Sequence, residues 1–133
     1  MNKGSPRKNV AAGYLAAAKR DLDMLSSNVD NPKAADELMG FLAQQTVEKA
    51  VKTVLALNGI DFSKTHDIFN LIVLCEDNGI KVPELSHNPE FLTRFAVEMR
   101  YVAFYDEAVE LDVKEVLKDA QTFFDWARRV VSE

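Results

Sequence analysis

The sequence predicts an all-α protein, an up-and-down four-helix bundle with an additional short helix. Three observations lead there. Apolar residues recur at alternating spacings of three and four along five stretches, as in helices that bury one face. No Val- and Ile-rich run alternates with polar residues between turns, so no sheet is expected. Asn58-Gly59 and Asn78-Gly79 stand where two of the stretches end, the usual chemistry of a left-handed helix stop.

Residues 1–9, MNKGSPRKN, are polar and basic and read as a flexible N-terminal arm; residues 10–133 read as one helical domain. The first helix, about 10–29, would bury Ala11, Leu15, Ala18, Leu22, Leu25 and Val29, and Asn28, Asp30, Asn31 and Pro32 end it. The second, 38–58, reads LMGFLAQQTVEKAVKTVLALN. At about 100° per residue, Leu42, Ala43, Val47, Ala50, Val51, Val54 and Leu57 form a broad apolar side. Gln45, Glu48, Lys49 and Lys52 form a polar band, flanked by Phe41, Leu55 and Ala56. Apolar residues on both sides of a polar band suggest a central helix covered from both sides. A third helix starts near Thr65, with Asp67 in its first turn to suit the helix dipole. It turns Ile68, Leu71, Ile72 and Cys75 inward. Asn88-Pro89-Glu90 starts the fourth, with a cap, Pro at the first position and an acid after it; Phe91, Leu92, Phe95, Ala96 and Met99 point inward. Asp112 and Glu115 form a capping box for the last helix, which buries Val113, Val116, Leu117, Ala120, Phe124, Ala127 and Val131. Short connections make neighbouring helices antiparallel.

The 133 residues suffice for one domain with a real core. Hydrophobic residues make up 47% and charged residues 28%, the balance of a globular protein. A net charge of −5 argues against a sequence-independent DNA binder, which needs a basic footprint. It leaves room for a local basic pocket that takes one nucleotide or a short RNA. The single cysteine, Cys75, stands in an apolar run and is expected as a buried, inert thiol in a reducing, cytoplasmic setting. No continuous apolar run reaches the about 18 residues of a membrane span, and the N-terminus has no secretory signal pattern.

Metal and cofactor chemistry find little support. His66 and His87 are the only histidines; no HExxH is present, and the one Glu-x-x-His, Glu84 to His87, falls in the extended or turn-like stretch around Pro83 and not on an expected helix. Nucleophile elbows and glycine-rich phosphate loops are absent. No metal ligand and no cofactor is therefore expected. What remains is a set of cations and amides: Gln45, Lys49, Lys52, His66 and Arg100, with Tyr101 and Tyr105 close in sequence. The plainest expectation for the polar band is a solvated face, with Glu48 and Lys52 as an i,i+4 ion pair in the favourable order. His66 would tie down a helix start, or donate to a phosphate gathered at that N-terminus. Arg100 would pair with an acid such as Glu48, or grip a phosphate with its planar fork. The tyrosines would pack with a polar tip, base stacking being the other use of such rings.

The segment FLAQQTVEKAVKTVLALNG, followed by THDIFNLI and then MRY, resembles the HEPN domain family of prokaryotes and higher eukaryotes. The likeness rests on Gln-Gln-x-x-Glu-Lys-x-x-Lys in the second helix, Thr-His-Asp-Ile opening the third and Arg-Tyr after the fourth. AAAKRDL, residues 16–22, suits the family's first helix. The resemblance implies an up-and-down bundle, usually dimeric, often encoded beside a nucleotidyltransferase partner. Many members are RNA-cleaving toxins whose motif is Arg, four to six residues, then His. Others lack the motif and are thought to bind nucleotides or partners.

This chain departs from the nuclease pattern. Counting on from Arg100, the His position falls on Tyr105, Asp106 or Glu107, and no histidine follows His87. Activating a ribose hydroxyl or protonating a leaving oxygen near neutral pH suits imidazole, with its pKa near 6.5, far better than a phenol near 10. The sequence-based expectation is a non-catalytic HEPN-like domain that binds a nucleotide or nucleic-acid phosphate, as a homodimer or as the partner of a nucleotidyltransferase-type protein. Gln45, Lys49, Lys52, His66, Arg100 and Tyr105 are its candidate ligand-binding residues. The alternatives are a divergent ribonuclease toxin using Arg100 and Tyr105 as catalytic residues, and a plain dimeric scaffold whose polar band is a buried ion-pair network centred on Glu48.

Overall fold

A computed structural model describes residues 5–62, 67–86, 88–97 and 111–133. The fold is the expected all-α bundle, and no strand occurs among the described residues. Five helices follow one another: α1 (Pro6–Ser27), α2 (Asp36–Leu57), α3 (Ile68–Asp77), α4 (Pro89–Val97) and α5 (Val113–Ser132).

Local chemistry sets most of the ends. Ser5 caps α1 by accepting from the Lys8 N–H, and Pro6 takes the first helical position, where its missing N–H costs nothing. Pro6–Asn9, expected as part of a loose arm, therefore form the first turn of α1. Asp67 caps α3 by accepting from the Asn70 N–H. Asn88 Oδ1 accepts from the Phe91 N–H at the start of α4, and Asp112 accepts from Glu115 N–H at the start of α5. The Thr65 expected near the start of α3 lies outside the described residues.

The two Asn-Gly stops behave identically. Gly59 and Gly79 have φ of 67° and 75°, a region that residues with a Cβ avoid. Each puts the next isoleucine N–H on a carbonyl five residues back, Ile60 to Leu55 and Ile80 to Cys75. Each glycine N–H bonds to the carbonyl three residues back, completing a Schellman motif. Both isoleucines then pack against the core.

Helix α2 packs against α1, α3, α4 and α5, and is the only described helix to touch all the others. It is antiparallel to α1: Arg7 at the start of α1 lies over Gly59 just past the end of α2, and Asp21 near the other end of α1 meets Lys49. A guanidinium there faces the negative end of the α2 dipole, which has no basic residue in its own last turn. Leu42, Ala43, Val47, Ala50, Val51 and Val54 form the centre of the core, as expected, with Leu55 and Met39 beside them. Phe123 and Trp126 of α5 join it as an edge-to-face pair at 5.8 Å. Cys75 is fully buried, and burial, helped by the Glu76 charge, pushes its thiol up to about 11. Such a thiol stays protonated and unreactive near neutral pH.

Gly40 lies where α2 meets α4, so that an added Cβ would collide with the Phe95 ring. Gly13 in α1 faces open space. Replacing Gly by Ala within a helix gains about 1 kcal/mol, while overpacking a core costs about 1–3 kcal/mol. In urea unfolding, Gly13→Ala is therefore expected to stabilise the protein and Gly40→Ala to destabilise it, with Phe95→Leu recovering part of the loss. A stabilising Gly40→Ala would contradict this account of the α2–α4 contact.

Candidate functional site

The polar band of α2 is not a solvated face. Gln44 is fully buried, Glu48 is 3% exposed and Lys52 is 8% exposed. They stand at i, i+4 and i+8, so their side chains form one row along the helix. Gln45 Nε2 donates to Gln44 Oε1 at 2.6 Å, and Gln44 Nε2 donates to Glu48 Oε1 at 2.7 Å. Lys52 Nζ donates to Glu48 Oε2 at 2.8 Å. The expected Glu48–Lys52 pair thus forms, but inside the protein. The reason is tertiary: α1, α4 and α5 leave α2 no wide solvent side.

Phe62 covers the Lys52 end. Its ring centroid is 5.7 Å from Lys52 Nζ, within the range of a cation–π contact. The same ring meets Tyr14 of α1 at 5.9 Å, tilted by 59°. The chain after the Gly59 turn thereby folds back across the α1–α2 seam. Lys49, one turn before Lys52 on the α1 side, is paired at 2.5 Å with Asp21. That pair is only partly buried, with side-chain exposures of 25% and 21%.

Of the six candidate ligand-binding residues, Gln45, Lys49 and Lys52 lie together on α2 within this row and its edge. His66, Arg100 and Tyr105 lie outside the described residues, as do Tyr101 and His87. Gln44, Asp21 and Phe62 were not among the candidates. For Gln44 a signal was present, since an amide four residues before a carboxylate is a helix-stabilising pair. Asp21 and Phe62 reach the row only through tertiary contacts, which no local pattern encodes. A second buried carboxylate, Asp119 of α5, is 3% exposed and accepts from both the N–H and the hydroxyl of Ser86. It pins the segment before α4 to α5. No group of three His, Cys, Asp or Glu among the described residues could hold a metal ion. No described helix is long and apolar enough to cross a membrane.

The row makes an energetic prediction. Removing one partner of a buried pair leaves the other charge uncompensated and costs about 3–5 kcal/mol. Glu48→Ala, which strands Lys52, is expected to fall in that range by urea unfolding. Glu48→Met with Lys52→Met should recover most of it, because apolar residues of similar volume often replace a buried pair without loss. Lys49→Ala, at a partly exposed pair, should cost about 1 kcal/mol or less. Equal, small effects at Glu48 and Lys49 would mean that the row is solvated.

No curated protein and no solved structure gives a significant match to the chain. The model of the HEPN domain family matches residues 11–130, most of the chain, and so takes in all five helices apart from the first turn of α1 and the end of α5. The functions of that family concern nucleotides and RNA in general. With an all-α fold and a match of that span, the chain belongs to the HEPN domain family.

Proposed function

We propose that this HEPN domain binds the phosphate of a nucleotide or of a nucleic acid without cleaving it, and that it works as a symmetric homodimer or as the partner of a nucleotidyltransferase-type protein. The observation that carries this reading is the hydrogen-bonded row Gln45–Gln44–Glu48–Lys52 held inside α2. Burying an amide and two charges costs several kcal/mol, and apolar residues would stabilise the bundle as well or better. A buried network centred on Glu48 is also what the scaffold alternative expects; the family's nucleotide- and RNA-related function is what favours a binding role for it.

Charge accounting refines the site. Lys49 already faces Asp21, and Lys52 already faces Glu48, so two cations are balanced by two anions. A phosphate then needs further positive charge, and Arg100 supplies it, with His66, Gln45 and Tyr105 as hydrogen-bonding companions. Lys49 is the more accessible of the two lysines and makes the direct contact; Lys52 holds Glu48 in place. The protein lacks the histidine that the family's nucleases use, so this reading includes no efficient proton transfer.

Millimolar ATP is expected to raise the melting temperature by mass action, less so in Lys49→Ala and at high salt, which screens the charges. Labelled single-stranded RNA should survive incubation with the same preparation at pH 7. Absence of any nucleotide-induced shift would favour the scaffold reading. Robust cleavage at pH 7 that both Arg100→Ala and Tyr105→Phe abolish would make the protein a ribonuclease with a tyrosine variant of the motif.

The dimer has its own support. Phe69 of α3 is 46% exposed, and Val10, Met24 and Leu38 are about as exposed. Phe41, Leu55, Phe62, Phe69 and Phe104 are large apolar residues outside the expected inner faces; besides Phe69, Leu55 is in the core, Phe41 and Phe62 are half-buried, and Phe104 lies outside the described residues. Exposed apolar side chains of this size suit an interface when they gather in one patch. Light scattering at tens of micromolar, roughly where a weak dimer persists, should give twice the chain mass; a monomer there would remove the homodimer from the reading.

A further inference from the structure

We propose that Tyr14 and Phe62 form a platform on which the base of a bound nucleotide stacks, so that the ligand is a nucleotide and not a bare polyphosphate; this rests on the phosphate-binding role proposed above. The two rings meet at 5.9 Å and 59°. At that tilt they do not cover each other's faces as a parallel stack would. Both residues are half-buried. Three of the four residues one turn from Tyr14 along α1 are Ala11, Ala17 and Ala18. Side chains that short do not reach over the ring. A ring needed only for packing would gain more by being covered.

Position supports the same role. Tyr14 and Asp21 are seven residues apart on α1 and so share a face, about 10 Å apart along the axis. Asp21 holds Lys49, and Phe62 lies over Lys52. The aromatic pair and the two lysines therefore line one seam between α1 and α2. Stacking on an aromatic face tolerates any base, so purine nucleotides should bind alike whatever their exocyclic groups.

The test compares ATP, GTP and tripolyphosphate by titration calorimetry with the wild-type protein, Phe62→Leu, Tyr14→Leu and the conservative Tyr14→Phe. The wild type should bind both nucleotides about tenfold or more tightly than tripolyphosphate, the scale of one stacked base. Either leucine variant should lose most of that preference while keeping its tripolyphosphate affinity, and Tyr14→Phe should retain it. The wild-type comparison needs no variant, so it can overturn the platform even where a leucine substitution impairs folding. Equal affinities for nucleotide and tripolyphosphate in the wild type would overturn the platform alone, as would a preference that survives both leucine substitutions. Binding of none of the three ligands would overturn the phosphate-binding role, and the platform with it.

Discussion

The Glu48 carboxylate lies within a helix that four other helices cover, and it has to be satisfied there. Water cannot do it, since Glu48 is 3% exposed. An ionised carboxylate taken out of water carries a penalty of several kcal/mol unless partners in good geometry offset it. Gln44 and Lys52 supply those partners from the same helix, one turn to either side. This is economical in conformational entropy, because α2 fixes all three backbones at once. It also ties the packing of the bundle to the row. Phe62 can lie over Lys52 only because the Schellman turn at Gly59 sends the chain back across the α1–α2 seam. Arg7 in turn lies on that turn from α1.

The same constraint sorts the two lysines by role. Lys52 has a buried counter-charge on one side and an aromatic face on the other. Both contacts hold its ammonium in place, and a ligand would have to displace one of them. Lys49 shares its charge with Asp21 across the helix pair, at a site that water partly reaches. Exchange of one anion for another there has a much smaller desolvation cost. A net charge of −5 gives no long-range attraction for phosphate, so the proposed recognition depends on this short-range geometry.

Much of the fold was legible because its signals are local. The Asn-Gly stops, the Asn88-Pro89 start and the Asp112 cap each depend on residues within a turn of one another, and each forms as the sequence implies. The start of α1 was missed because the basic run around Pro6 outweighed a Ser-Pro pair that caps and starts a helix. The polar band was harder. Periodicity shows that Gln45, Glu48, Lys49 and Lys52 share a side, but not whether that side faces water. The clue was that Phe41 and Leu55 flank it, and Leu55 is indeed fully buried. Asp119 shows the same limit: an acid on the inward face of α5 becomes intelligible only once Ser86, 33 residues away, is seen donating to it. The lysines of the candidate site could be named from sequence, whereas their counter-ions could not, because Asp21 lies 28 residues from Lys49 along the chain.

The row also bears on catalysis. A general base must be free to accept a proton from the reacting hydroxyl. Glu48 is a buried acid, yet each of its oxygens already accepts a hydrogen bond from within α2. It is placed to orient neighbours, not to exchange protons with a ligand. Lys52, held between that carboxylate and Phe62, is no better placed as an acid. Among the described residues no histidine is present to take over, since the chain's only two, His66 and His87, lie outside them. Within α2 the chemistry is therefore that of holding: amide to amide, amide to carboxylate, carboxylate to ammonium. Such a row can fix the position of charge against a phosphate, and electrostatic fixing of that kind binds an anion without requiring that any bond in it be broken.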